Sequence, residues 1–164
     1  MRILLVALTL ALSIPCFSED KWPQVTDLDW RDLRQHNNQR QYIDEMATSR
    51  LGQSLHKTES DLNILQRIVD QKLIEPSDSF NLQALGVVLG DLFVERYNLQ
   101  WKIYQDEEGR SRATCVPNTS QCLFPVTMLS RRIEVGLHPD VQAIYQESAE
   151  LIKPYLPKLP YQVD

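Results

Sequence analysis

The chain has 164 residues, with 17 Lys and Arg against 22 Asp and Glu, giving a formal charge of −5 at pH 7. That length suits one domain with a substantial core. The acidic balance excludes generic adhesion to nucleic-acid phosphates, which needs a basic face, and singles out no other partner class.

Residues 1–18 read as an address. Arg2 forms a short positive n-region, residues 3–14 carry no charge, Pro15 breaks the run, and Cys16 and Ser18 are small residues before Glu19-Asp20. This is the layout of a cleaved secretory signal peptide, and its apolar run falls short of the roughly 20 residues of a bilayer span. A lipoprotein signal would place Leu three positions before its cysteine and a small residue just before it, whereas Ser13-Ile14-Pro15 precedes Cys16. The expectation is a periplasmic or secreted protein with no stable membrane insertion after cleavage. Loss of Cys16 leaves Cys115 and Cys122, which an oxidising compartment favours as a disulfide across the short turn 116–121. Their spacing is not CxxC and no histidine adjoins them, so neither a redox dithiol nor a zinc site is read there. Asn118-Thr119-Ser120 matches a glycosylation sequon, which carries no meaning in a bacterial host.

In chain order, residues 19–25 form an extended lead-in, and Thr26-Asp27 caps a sparse helical stretch. A better helical pattern spans residues 38–51, with Tyr42, Ile43 and Met46 in phase and Gly52 as its stop. Thr58 or Ser60 then caps a helix whose stripe is Leu62, Leu65, Ile68, Val69 and Leu73, ended by Glu75-Pro76. Ser77-Asp78 opens a helix over residues 80–97 that is apolar around most of its girth, so other elements must cover several of its sides. Asp91 and Glu95 take its opposite, polar side. Gly86 and Gly90, one turn apart, each lower helix stability by about 1 kcal/mol relative to alanine. That loss makes sense where another element approaches closely.

Beyond Asn98 the period changes to alternation. Leu99, Trp101 and Ile103 should face the core, with Gln100, Lys102 and Tyr104 outward. Residues 106–109 make a turn, and residues 110–116 and 121–124 read as two more strands, with Pro125 closing the sheet segment. Thr127 caps a helix to about residue 135, ended by Gly136. Pro139 begins the last helix, whose stripe is Val141, Ile144, Tyr145, Leu151 and Ile152. Residues 154–164, with Pro154, Pro157 and Pro160 at every third position, favour an extended tail. The expected fold is α+β: a single domain over residues 19–153, with helices, a three-stranded antiparallel meander and two C-terminal helices.

Asp91 and Glu95, one turn apart, have the spacing of paired carboxylates that act as acid, base or metal ligands, and equally that of a solvated stripe. Arg131-Arg132, with Arg110 and Arg112 on one strand face, suit a carboxylate or phosphate group, or pairing with the acidic turn beside them. His36, His56 and His138 lack HExxH spacing and are read as solvent-facing or capping residues. No nucleophile elbow, phosphate loop or EF-hand is present. Trp101 and Tyr104 fall on opposite faces of their strand, so Trp101 is read as core and Tyr104 as surface or helix contact. Tyr155 and Tyr161, between the tail prolines, suit either partner binding or clamping along the domain. No catalytic residue, cofactor or metal ligand is expected.

The marks Leu82-Gln83-Ala84-Leu85-Gly86-Val87-Val88-Leu89-Gly90-Asp91, Trp101, Asp106-Glu107-Glu108-Gly109-Arg110, Phe124-Pro125-Val126-Thr127-Met128 and Arg131-Arg132 run in order. Over roughly residues 65–145 the chain resembles a family of small exported bacterial proteins classed as a domain of unknown function. The resemblance implies a bacterial source and a periplasmic or secreted setting, and no activity. A compact stapled domain without a reactive constellation favours a non-enzymatic protein-binding module of the envelope, for example an inhibitor or immunity protein. The alternatives are a small metal-dependent or acid/base hydrolase using Asp91 and Glu95 with Arg131 or Arg132, and a small-ligand carrier. The carrier needs an enclosed apolar pocket of at least about 300 Å³.

Overall fold

A capping box fixes where the first long helix begins. The Asp29 side chain accepts from the backbone N–H groups of Arg31 and Asp32, and the Asp32 side chain accepts from the backbone of Asp29. Donors left over at the helix start are thereby satisfied. In the computed structural model, which describes residues 22–157, α1 runs Trp30–Met46 as one helix, neither opened by Thr26-Asp27 nor delayed to residue 38. Its buried face is Asp32, His36, Gln39 and Ile43. The helical period is present, but it is written mostly in polar residues, so the helix carries no apolar stripe. α1 widens into a π turn, Ala47–Leu51, and stops at Gly52, whose φ of 66° is left-handed as a helix stop requires.

α2 spans Asp61–Asp70 and buries Leu62, Leu65, Ile68 and Val69, the expected stripe. It ends before Leu73, and Ser60 makes no side-chain capping bond. Asp61 instead fixes this end, accepting from the backbone N–H groups of His56 and Lys57. α3 spans Ser79–Tyr97, N-capped by Asp78 through the backbone N–H of Asn81. It is buried continuously from Ala84 to Phe93, in keeping with its all-round apolar pattern. One expectation fails within that run, because Asp91 is buried rather than solvated.

The strands β2 (Gln100–Asp106), β3 (Gly109–Cys115) and β4 (Cys122–Leu123) form the expected antiparallel meander. The sheet nevertheless has four strands. β1, Gln24–Asp27, pairs antiparallel with β2, placing Val25 opposite Tyr104 and Thr26 opposite Ile103, in the order β1-β2-β3-β4. A four-residue segment carries no pairing signal of its own; the unpaired backbone groups along the outer edge of β2 recruit it. The Cys115–Cys122 disulfide joins two residues already opposite one another on β3 and β4. Closing this short loop in the unfolded chain is worth about 2–3 kcal/mol. The Cys115→Ala/Cys122→Ala chain should therefore unfold at correspondingly lower urea concentration. An unaltered midpoint would count against a stabilising role.

The C-terminal third departs from its sequence reading in four places. The sheet segment ends at Leu123, ahead of Pro125, and Pro125 occupies the first turn of α4, Pro125–Met128, which places Thr127 inside the helix rather than at its cap. The expected helix over residues 127–135 is split, with α5 running Ser130–Glu134. α6, Val141–Ile152, is capped by Asp140, so Pro139 stands before the cap and not in the first turn. Pro154 lies in a 3-10 turn, Lys153–Tyr155, so the tail begins helical instead of extended. The expected signal segment, Pro160 and Tyr161 fall outside the described residues.

Both α3 glycines are points of close approach, as their helix cost implied. A side-chain carbon on Gly86 would lie 2.2 Å from the Pro125 carbonyl oxygen, and one on Gly90 would lie 2.2 Å from the Trp101 ring. α4 and β2 therefore sit directly on the α3 backbone. Leu85, Leu89, Leu92 and Phe93 of α3 form the centre of the hydrophobic core with Ile43, Leu65, Ile68, Leu129 and Val141. Among the described residues, no helix is long and apolar enough to cross a membrane. The disulfide is compatible with an exported protein.

Candidate functional site

The register of β2 and β3 pairs Trp101 with Thr114, Ile103 with Arg112 and Gln105 with Arg110. Strand alternation puts these side chains on one face of the sheet, and α1 meets that face with its polar stripe. Asp32 takes Arg110 in a two-pronged ion pair, at 3.0 Å to Nη1 and 2.5 Å to Nη2. Gln39 accepts from Arg112 Nη2 at 2.7 Å and donates through Nε2 to the Phe80 carbonyl at 3.0 Å. His36 sets its ring edge against Trp101, with centroids 4.9 Å apart. A planar guanidinium clasped by a carboxylate fixes orientation as well as energy.

Asp91 completes this layer from α3. Its Oδ1 accepts from Trp101 Nε1 at 2.9 Å and lies 3.2 Å from His36 Nε2. Its Oδ2 lies 2.8 Å from Arg40 Nε, an ion pair without hydrogen-bond alignment. Burial pushes the Asp91 carboxyl up, but the His36 contact and the charges of His36 and Arg40 outweigh it, so the group titrates below the usual carboxylate range. Asp32 also titrates low, held there first by its hydrogen bond to Arg110. Arg112 is pulled down from its ordinary value, chiefly by desolvation.

The two depressed carboxylates set a pH dependence. Each binds protons more weakly in the folded chain than in the unfolded one. Their stabilisation is therefore complete above the ordinary carboxylate value of about 4 and is lost as pH falls through the folded-state values. Urea midpoints should hold steady from pH 7 to about 5 and drop below about 4, less steeply in Asp32→Asn than in the parent chain. Equal slopes in the two proteins would remove Asp32 from this account.

Beside the polar layer lies an open basin of about 590 Å³ between α1, the start of α3, the β2–β3 turn, and α4 with α5. Arg110, Arg112 and Arg131 line it, together with Asp32, Asp106 and Glu108. Gln35 and Gln83 reach it from α1 and α3, and Tyr104, Phe124 and Val126 supply an apolar side. Arg112 is 9% exposed, and its Nη1 is buried with no acceptor. A buried charge with an unfilled donor costs free energy, and because this nitrogen is closed to solvent a ligand acceptor recovers that cost only by shifting the side chain. Arg131 is exposed and makes no side-chain bond to any described residue.

The sequence-derived candidates separate. Asp91 is 6% exposed and turned toward Trp101, His36 and Arg40, whereas Glu95 is exposed and lies 3.7 Å from Lys57, so they do not share a solvent-facing stripe or one site. Arg131 reaches the basin, while Arg132 turns away to donate to the Met128 carbonyl. Arg110 pairs with Asp32 rather than with the acidic turn, where Asp106 accepts from the backbone of Glu108 and Gly109. His36 is neither solvent-facing nor a cap: it is 4% exposed inside the layer. His138 is exposed, 3.2 Å from Asp70. Trp101 is half-buried and polar in its role, and Tyr104 sets an edge against Phe124 at 5.1 Å. Asp32, Gln39, Gln35 and Gln83 escaped the sequence reading; the signal for the first two was the polar helical period beginning at the capping box. Among the described residues no group of three His, Cys, Asp or Glu side chains has metal-ligating proximity. A second, apolar pocket of about 200 Å³, between Ile68, Val69, Leu82, Leu85 and Ile133, is smaller than the roughly 300 Å³ of a usual ligand cavity.

Residues 61–145, just over half the chain, match a family model described as "Domain of unknown function (DUF3806)". A crystal structure of a protein from Bacteroides thetaiotaomicron VPI-5482, at 1.50 Å resolution, is similar with a TM-score of 0.70 and 15% identity. The similarity covers 80% of this chain and 49% of that one, so the chain spans about half that protein's length. At this identity the likeness establishes the fold alone. No curated protein matches the chain.

Proposed function

The chain belongs to the DUF3806 family, whose description assigns no activity, and from that premise we propose that it is a non-enzymatic binding module exported to the bacterial envelope, capturing a partner protein by an acidic group seated in the arginine-lined basin. The observation that carries this reading is Arg112: nine-tenths buried, with one terminal nitrogen spent on Gln39 and the other without an acceptor, in the wall of a cavity of about 590 Å³. Arg131, exposed at the same basin, gives an incoming anion a second guanidinium. An inhibitor or immunity protein against an exported effector is one concrete form. Catalysis has less support, since Asp91 is consumed by Trp101, His36 and Arg40 and has no free face toward Glu95, Arg131 or Arg132.

The test is co-purification of the tagged exported chain from periplasmic extract, run in parallel with Arg131→Glu. A stoichiometric partner retained by the parent and lost on charge reversal supports the reading. Equal retention by both chains, or no retained partner, overturns it.

A further inference from the structure

The charges around the basin are balanced, and the balance restricts what it takes. Arg110, Arg112 and Arg131 face Asp32, Asp106 and Glu108. Part of this set is already spent: Arg110 on Asp32, and one oxygen of Asp106 on the backbone of its own turn. Unspent are the second terminal nitrogen of Arg112 and the whole of Arg131, with Glu108 and the remaining Asp106 oxygen at the β2–β3 turn. The basin is therefore positive toward α5 and negative toward the turn. A phosphate or sulfate dianion gains from the first region and is repelled by the second.

From this arrangement we infer that the basin recognises a zwitterionic peptide end: a C-terminal α-carboxylate directed to Arg112 and Arg131, with an ammonium group within a residue or two directed to Glu108 and Asp106. The inference rests on the binding reading above and names the chemistry of that same site. Planar guanidinium groups match a carboxylate in two-point fashion. Gln35 and Gln83 place donor and acceptor amides along the walls, as a peptide group between the two charges requires. Tyr104, Phe124 and Val126 offer an apolar surface for a small side chain. A volume of about 590 Å³ lies within the range of small-ligand sites. The chemistry has two sources, the C-terminal tail of a partner protein and a free short peptide.

Calorimetric titration of the full exported chain tests the inference with four probes: alanyl-alanine, its C-terminal amide, its N-acetyl form and inorganic phosphate. Alanyl-alanine should bind saturably below about 10 mM, and blocking either terminus should weaken it about tenfold or more. Phosphate should neither bind nor compete in that range. Arg131→Gln, an exposed change that leaves the core untouched, should weaken the dipeptide about tenfold, and Glu108→Gln should erase the preference over the N-acetyl form. Phosphate competing as well as the dipeptide, the amide binding equally, or no saturation overturns the inference.

Failure of the dipeptide while Arg131→Glu still loses its protein partner removes this inference alone. Partner retention indifferent to Arg131 removes the binding reading itself. Given dipeptide binding, release of a captured partner by excess dipeptide assigns the site to the partner's C-terminal tail. A partner that stays bound assigns it to free peptides.

Discussion

Asp91→Ala is expected to destabilise the chain by about 3–5 kcal/mol, the range for breaking a buried charged group away from its partners. The reason is what remains behind. The Trp101 indole N–H loses its acceptor, and His36 and Arg40 lose their anion, at a carboxylate that water reaches poorly. The control is Glu95→Ala, four residues on. Its only described ion pair is an exposed one to Lys57 at 3.7 Å, so its removal should change stability by no more than about 0.5 kcal/mol. Asp91→Asn should fall between the two, because an amide oxygen still accepts from Trp101 while the charge is gone. Urea denaturation at pH 7 reads all three. Similar midpoints for Asp91→Ala and Glu95→Ala would show that the polar layer contributes nothing to stability.

Gly86→Ala is the second large effect, and its sign runs against local propensity. Alanine in a helix is favoured over glycine by about 1 kcal/mol. Here the added carbon would lie 2.2 Å from the Pro125 carbonyl oxygen, 2.6 Å from Val126 Cα and 2.7 Å from Val126 C. All three are backbone atoms, with no side-chain rotation available to relieve them, so α4 as a whole has to move. Overpacking costs about 1–3 kcal/mol and occasionally more; with helix backbone opposing helix backbone, a net loss of about 3 kcal/mol is expected. Gly90→Ala meets the Trp101 ring at 2.2 Å and should also destabilise, because that ring is tethered by its bond to Asp91. Since Phe124, Val126, Thr127 and Arg131 line the basin, a displaced α4 should also weaken any ligand held there. Thermal melts and the alanyl-alanine titration check the two consequences separately. A melting temperature at or above the parent's would contradict the close approach.

The helices α2, α3 and α6 and the β2–β3–β4 meander were legible because each buries an apolar face against a neighbour, and a buried apolar face leaves a period in the chain. The two α3 glycines were legible as close-approach points for a related reason: a residue that costs a helix stability persists where space demands it. β1 left no such trace, since four residues at a sheet edge are held by backbone bonds that any sequence makes. α1 was obscured for a different reason. Its inward face is largely Asp32, His36 and Gln39, polar residues that leave no apolar stripe and find their partners only when Arg110, Trp101 and Arg112 are placed opposite them.

The candidate site divides along the same line. Arg110, Arg112, Arg131 and Arg132 were visible as one cationic set, the first two because strand alternation puts them on one face, although Arg132 turns out to face away. What distinguishes them is invisible in the sequence: Arg110 is spent on Asp32, Arg112 is buried with a donor unfilled, and Arg131 is exposed at the rim. By itself, the order of residues determined the α+β class, the central helix, the meander and the two cysteines that pair. Tertiary structure alone decided that Asp91 faces inward, that the first helix docks through polar groups, and where an unspent charge lies. The reason is that burial of an apolar face is encoded locally by periodicity, whereas the state of a polar group depends on which partner the fold brings to it from elsewhere in the chain.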